Sequence, residues 1–182
     1  MPDPQPGSVY EPIHEEEPEN LATFAVLVDN EPGVLHRLVG LFAARGYNIE
    51  SLTVAETDRR SHTSRVTIVT RGAPHVLAQI EAQLVKMVAT RDVRDVSRDP
   101  NGLERELALV KVRSMGPERV EALRVADIFR AKVIDTTHES FVFEVTGASG
   151  KIDKFVDLMR PLGLVELSRT GVLSITRGAE AM

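Results

Sequence analysis

Apolar residues along the chain follow two spacings that alternate in a regular order. Runs in which every second residue is apolar are typical of half-buried strands, and apolar residues three or four positions apart are typical of helices that face a core. In the first half, this pattern predicts four strands, with one helix after the first strand and another after the third. The strands are residues 23–28, 48–56, 65–70 and 92–97. The first helix ends at Arg45, and the second begins at Pro74.

The same βαββαβ order starts again in the second half of the chain. Turn-forming residues around Pro100 predict a linker at residues 99–103, which separates a first domain at 21–98 from a second at 104–182. The second domain ends with two short strands in place of one. Its predicted strands are 107–112, 132–137, 140–146, 165–167 and 171–176, and its helices are 117–130 and 151–162.

This order predicts the α+β fold class, with two tandem ferredoxin-like βαββαβ units. Each unit is expected to be an antiparallel four-stranded sheet with two helices on one face and a bare opposite face. The inward residues of helix 117–130 are predicted to be Val120, Leu123, Ile128 and Phe129. Because an unpaired edge strand can accept another chain, we expect a homodimer that forms through the first unit.

The first 20 residues differ from the rest in composition. They contain five of the ten prolines and six acidic residues, but no Lys or Arg. Such a segment buries too little surface to offset its ordering entropy, so we predict a disordered acidic tail. The remaining 162 residues carry 21 acidic and 22 basic residues. This balance provides no excess of positive charge for nucleic acid, so no nucleic-acid partner is expected.

The chain contains no cysteine, which excludes disulfides, thiolate nucleophiles and zinc-thiolate sites. Its histidines are scattered without metal-ligand spacing, so we expect no metal site and no catalytic residue. No apolar run reaches the roughly 20 residues of a membrane span, and the first residues lack the pattern of a signal peptide. The sequence therefore predicts a soluble cytoplasmic protein without a membrane partner.

Residues 29–35, Asp-Asn-Glu-Pro-Gly-Val-Leu, form a turn between the first strand and the first helix. Asp29 and Asn30 are good N-cap types, Pro32 suits the first helical turn, and Gly33 leaves the helix start open. Unpaired amides at a helix start attract a carboxylate, so this turn is suited to a free amino acid. The alternative is that these residues only start a helix.

The same seven residues resemble the ligand loop of ACT domains, which sense amino acids. The segment 40–54, Gly-Leu-Phe-Ala-Ala-Arg-Gly-Tyr-Asn-Ile-Glu-Ser-Leu-Thr-Val, is similar to the small, regulatory subunit of acetolactate synthase (acetohydroxyacid synthase). Motifs in the second half are similar to the carboxy-terminal domain of that subunit. These are residues 104–112, 128–130, 149–153 and 168–171, and the resemblance extends over residues 21–178.

The resemblance implies a non-catalytic subunit that binds and activates the large catalytic subunit. It also implies feedback inhibition by valine, or by leucine or isoleucine, in branched-chain amino-acid synthesis. Thiamine diphosphate, magnesium and FAD are expected in the large subunit and no cofactor in this chain. The second domain and the adjoining sheet face are expected to contact the large subunit.

In this family the effector lies between two ACT domains of a dimer. The resemblance implies that one chain supplies Asn30, Gly33, Val34 and Leu35 and the other supplies Asn48 and Ile49. The amides of residues 33–35 would hold the carboxylate. Asp29 and Glu31 would favour the ammonium group, and the side chains of Leu35, Ile49 and Val34 would bury the isopropyl group.

Two other classes of function are alternatives. A free-standing ACT sensor or transcriptional regulator would need a helix-turn-helix or a basic patch, and the sequence shows neither. A small ferredoxin-like enzyme, such as an acylphosphatase-type hydrolase, would need a catalytic Arg and Asn in a phosphate-binding loop. The sequence supplies nothing of this kind beyond ordinary helix caps.

Overall fold

The computed structural model describes residues 18–58, 60–179 and 182, so most of the predicted acidic tail lies outside the described residues. The first half contains β1 (Asn20–Asp29), α1 (Val34–Ala43), β2 (Ser51–Asp58), β3 (Thr63–Gly72), α2 (Pro74–Val85) and β4 (Thr90–Asp95). A single 3-10 turn, Val96–Arg98, follows. The second half contains β5 (Gly102–Arg113), α3 (Gly116–Phe129), β6 (Lys132–Thr136), β7 (Ser140–Gly147), α4 (Ser149–Met159), β8 (Leu164–Arg169) and β9 (Leu173–Thr176).

Two antiparallel sheets confirm the predicted fold class. The strand order is β2-β3-β1-β4 in the first sheet and β6-β7-β5-β8 in the second, the arrangement expected of ferredoxin-like units. The central strands, β1 and β5, each pair on both sides. Strand β2 therefore lies at one edge of the first sheet, next to β3 alone among the described strands.

The helices of each unit cover one face of its sheet. In the first unit, alternate residues of β1 and β3 point into the core and meet the apolar stripes of α1 and α2, because strand side chains alternate between faces. In the second unit, four aromatic rings fill the corresponding space. The principal buried residues are Phe24, Val26, Ile68, Leu38, Phe42 and Ile80 in the first core, and Val110, Phe143, Ile152, Phe155 and Met159 in the second.

The inward face of α3 differs from the prediction. Ala122, Val125 and Ala126 are buried, and Phe129 packs against the core as predicted. Val120, Leu123 and Ile128 instead face outward, and Ile128 is 75% exposed. The inward stripe at helical spacing consists of residues 122, 125, 126 and 129. Residues 120, 123 and 128 lie outside this stripe. Two alanines on that stripe also allow the helix to approach the sheet closely.

The outer face of the first sheet is partly covered, which corrects the prediction of a bare face. Strand β5 begins at Gly102, inside the predicted linker, and residues 102–105 pair with β9. This β5–β9 ribbon and the 3-10 turn contact the outer face of β1, where Thr23 and Ala25 are buried. Strand β9 therefore connects the two domains and does not extend the path of the second sheet.

The outer face of the second sheet remains open, as predicted. Leu109, Val142 and Ser168 line a shallow depression of about 170 Å³ on this face. Beside them, Lys111 forms an ion pair with Glu166, and this hydrogen bond lowers the pKa of the Glu166 carboxyl. Both side chains of the pair are largely solvated, so it contributes little to stability.

The first core sets the stability of the ACT-like unit, and Phe24→Ala tests this. Phe24 is fully buried, so its truncation should lower the free energy of unfolding by about 3–5 kcal/mol. Val88→Ala is the control, because Val88 is 94% exposed and its truncation should change stability by less than about 0.5 kcal/mol. Urea unfolding of both variants gives the comparison. Equal losses in the two would contradict the assigned core.

Candidate functional site

The turn between β1 and α1 is closed by backbone hydrogen bonds. The Asn30 amide donates to the His62 carbonyl at 2.7 Å, and the Glu31 amide donates to the Asp29 carbonyl at 2.9 Å. Gly33 is the N-cap of α1, with φ of 82° and no side-chain cap. The interpretation of Asn30 or Asp29 as the cap is therefore wrong, and Pro32 precedes the helix. A left-handed residue is needed here, and glycine adopts that conformation without strain.

Among the described residues, only two of the three backbone amides that were predicted to bind a carboxylate are free at this helix start. The Val34 amide already donates to the Glu31 carbonyl at 3.2 Å, so it is not available to a ligand. Within the described part of the chain, the amides of Gly33, Leu35 and His36 have no protein acceptor. With the helix dipole, these three amides are the groups of the turn that can donate to a carboxylate.

The two acidic residues of the turn are paired within the chain. Asp29 accepts a hydrogen bond from Nε of Arg91 at 2.6 Å, and Glu31 accepts one from Arg37 at 3.1 Å. These arginines compensate the negative charge that was expected to attract an ammonium group. Arg91 also donates to the Ser61 carbonyl, which ties the turn to the β2–β3 loop.

The two asparagines have matching environments at the two ends of β2. The side-chain nitrogen of Asn30 donates to Glu56 at 3.4 Å, and that of Asn48 donates to Glu50 at 3.2 Å. Both asparagines are exposed. Because each amide nitrogen is directed to a carboxylate, the amide oxygen is the atom left to accept from a ligand ammonium. The two glutamates were not identified from the sequence.

The predicted site residues fall into two groups that one chain does not bring together. Asn48 lies level with Thr70, whose hydroxyl donates to the Asn48 carbonyl at 2.6 Å. Thr70 pairs with Ala22 near the start of β1, whereas Asn30 follows the end of β1. Eight residues of strand correspond to about 26 Å, which is much longer than a free amino acid.

The apolar side chains of the site differ in accessibility. Val34 is buried in the first core, so little of its side chain is accessible to an effector. Leu35 is 39% exposed, and Val39 is equally exposed one helical turn later. Ile49 is half-buried against the core. Val39 was not proposed from the sequence, although its spacing from Leu35 places both on one helix face.

The described residues contain no group of three or more potential ligands that could hold a metal ion. Among the described helices, none is long and apolar enough to cross a membrane.

Comparison with known families matches both halves of the chain. Residues 24–92 match the family described as the AHAS small subunit-like ACT domain, and residues 105–178 match the family described as the small subunit of acetolactate synthase. The chain belongs to the acetolactate synthase small-subunit family. Its ACT domain is therefore the unit that carries the turn at Gly33.

Individual relatives cover nearly the whole family region. The chain is 46% identical over 156 residues to the probable acetolactate synthase small subunit of Archaeoglobus fulgidus, covering 86% of this chain and 96% of that protein. It is 44% identical over 159 residues to the acetolactate synthase isozyme 3 small subunit of Escherichia coli, covering 87% and 96%. The crystal structure of the acetolactate synthase small subunit from Thermotoga maritima is similar, with a TM-score of 0.79 and 36% identity over 88% of this chain and 99% of that one.

The left-handed conformation of Gly33 gives a test of the turn. Gly33→Ala should lower the free energy of unfolding by about 1–2 kcal/mol, because alanine is strained at this positive φ. An added Cβ meets no atom within 4 Å, so a steric clash does not contribute. Gly40→Ala is the matched control inside α1. It also meets nothing, and it should raise stability by about 0.5–1 kcal/mol. Thermal unfolding separates the two signs, and stabilisation by Gly33→Ala would contradict the assigned geometry.

Proposed function

We propose that this chain is the non-catalytic regulatory subunit of acetolactate synthase. It binds the large catalytic subunit, raises its activity and makes it sensitive to feedback by a branched-chain amino acid, with valine as the first candidate. The large subunit carries thiamine diphosphate, magnesium and FAD, and performs the carbon–carbon bond formation. Family membership of both halves supports this proposal, and it also disfavours a free-standing sensor, which would leave the second domain unexplained.

The observation that carries the effector proposal is the separation of the two half-sites along β2. The β2 edge is open, and the exposed Leu35, Val39 and Val54 supply apolar surface on α1 and β2. Two β2 edges that pair antiparallel about a two-fold axis bring the start of one strand beside the end of the other. The partner's Asn48 then lies beside Glu56 and Asn30 of this chain. Each dimer has two such sites.

The assembled site would satisfy each part of a free amino acid. The amides of Gly33, Leu35 and His36 hold the carboxylate. The amide oxygens of Asn30 and the partner's Asn48 accept from the ammonium group. Leu35, Val39 and the partner's Ile49 enclose the side chain, and burial of an isopropyl group contributes roughly 1.5–3 kcal/mol. This favours valine over alanine, whereas one methylene separates isoleucine from valine by only about 1–3 kcal/mol.

A site shared by two chains links effector binding to assembly. Valine that binds only the dimer increases the dimer fraction by mass action. Inhibition follows if the valine-bound dimer holds the large subunit differently from the free dimer.

Complementation between two variants tests the shared site. Asn30→Ala and Asn48→Ala should each weaken valine binding by about 10- to 100-fold, because each removes a hydrogen bond to a charged group. When the two variants are mixed, each heterodimer regains one intact site from Asn48 of one chain and Asn30 of the other. Random pairing then restores about one quarter of the sites. Calorimetric titration with valine measures both affinity and site number.

Asn101→Ala is the control, because Asn101 lies in the turn before β5, far along the chain from either half-site. This variant should bind valine like the unmodified chain. If the mixture recovered no sites although the dimers exchanged subunits, both asparagines would belong to one chain's site or to none.

Activity measurements test the regulatory role itself. The chain alone should form no acetolactate from pyruvate, and its addition to a large subunit should raise that subunit's turnover. Valine should then lower the activity of the mixture but leave the large subunit alone unaffected. Acetolactate formation by the chain without a large subunit would contradict the proposal.

A further inference from the structure

Residues 170–172 of the second domain, here named the junction loop, contact the start of β2, next to the Asn48 half-site. The Thr53 hydroxyl donates to the Thr170 carbonyl at 3.2 Å, and the Val172 amide donates to the Ser51 hydroxyl at 3.2 Å. The loop therefore makes hydrogen bonds to two residues of β2 on the outer face of the first sheet.

Gly171 lies between these two hydroxyls, and an added side chain would displace at least one of them. A Cβ at Gly171 would lie 2.4 Å from the Ser51 hydroxyl oxygen and 3.0 Å from that of Thr53. Gly171 also has φ of 80°, which side chains rarely allow. The close approach and the backbone conformation both favour glycine here.

The junction loop is fixed firmly to the second domain. The Thr170 amide donates to the Leu107 carbonyl at 3.0 Å, and the Leu107 amide donates to the Thr170 hydroxyl at 3.1 Å. The adjacent Arg169 binds both carboxylate oxygens of the buried Glu106 at 2.7 Å, and also Asp153. Bidentate pairs of this kind fix orientation, so the loop and the central strand β5 form one rigid unit.

On the other side, the loop adjoins the Asn48 half-site. Glu50 alone separates Ile49 from Ser51 in the chain. The two domains do not pack tightly beside this contact. A cleft of about 700 Å³ opens there, between Glu50 and Arg71 of the first domain and Ser149 of the second. A displacement of residues 48–50 would therefore be transmitted to the second domain through a small number of contacts.

We infer that the junction loop, which lies between Ser51 and Thr53, is a positioning element. It transmits effector binding from residues 48–50, just before β2, to the sheet of the second domain. This inference rests on the proposed function, since it assumes the shared effector site. When the effector draws residues 48–50 toward the partner's turn, Ser51 and Thr53 move with them. The junction loop follows because of its hydrogen bonds, and β5 follows because of Thr170 and Arg169.

Hydrogen exchange of the full-length chain, with and without valine, tests this inference. In the unmodified protein, valine should slow exchange in peptides around residues 47–58 and also around 104–112 and 164–176, by about fivefold or more. In the double variant Ser51→Ala, Thr53→Ala, the slowing should persist at 47–58 and disappear in the second domain. Gly171→Ala should give the same result, because the added methyl group displaces the loop from β2.

Gly116→Ala is the matched control for the glycine variant. Gly116 also has positive φ and lies in the second domain, but an added Cβ meets no atom within 4 Å. This variant should keep the valine response in both domains. If Gly171→Ala does not fold, the double hydroxyl variant alone decides, since it adds no atoms.

The outcomes separate this inference from the proposed function. Absence of any valine effect on the unmodified dimer would refute the proposed effector. There would then be no effector response for the loop to transmit. If valine acts on the unmodified chain, and the double variant still transmits the full slowing to the second domain, the inference is wrong. In the complex with the large subunit, the double variant should still bind valine but show at least about fivefold weaker inhibition.

Discussion

The antiparallel pairing of β1, β3 and β2 is the constraint on which the proposed effector site depends. This pairing places the turn after β1 at one end of the first sheet and the start of β2 at the other end. The strands between them are rigid and about eight residues long, so no local adjustment joins the two groups within a chain. A ligand that needs both Asn30 and Asn48 therefore needs two chains. In the proposed shared site, effector binding and dimer formation would be one coupled equilibrium.

Within each half-site, the backbone contributes more than the charged side chains. Gly33 opens the helix start and leaves amides of the turn free, whereas Asp29 and Glu31 are neutralised by Arg91 and Arg37. Such an arrangement suits a zwitterion, which presents one carboxylate and one ammonium group and carries no net charge. A strongly charged site would favour ligands with a net charge instead.

Local features of the chain predicted most of the fold, and long-range contacts account for what was missed. The spacing of apolar residues gave the order of elements and both antiparallel sheets, because it reflects which face of each element is buried. The same criterion failed for α3, where the small Ala122 and Ala126 form the buried stripe although they are weakly apolar. The turn residues were identified from their types, but Asp29 pairs with Arg91 of β4, a long-range contact that no local pattern specifies.

The partly covered outer face of the first sheet bears on which domain contacts the large subunit. Strand β9 and the 3-10 turn bury Thr23 and Ala25 on that face, so less of it is open to a large subunit. The second domain keeps an open sheet face and the exposed apolar residues of α3. A catalytic partner would therefore dock on the second domain, and the effector would act at a distance from it. The contact between the domains must then be rigid enough for the two domains to move together. The ion pair of Arg169 with Glu106 and the close approach of Gly171 to β2 both favour such rigidity.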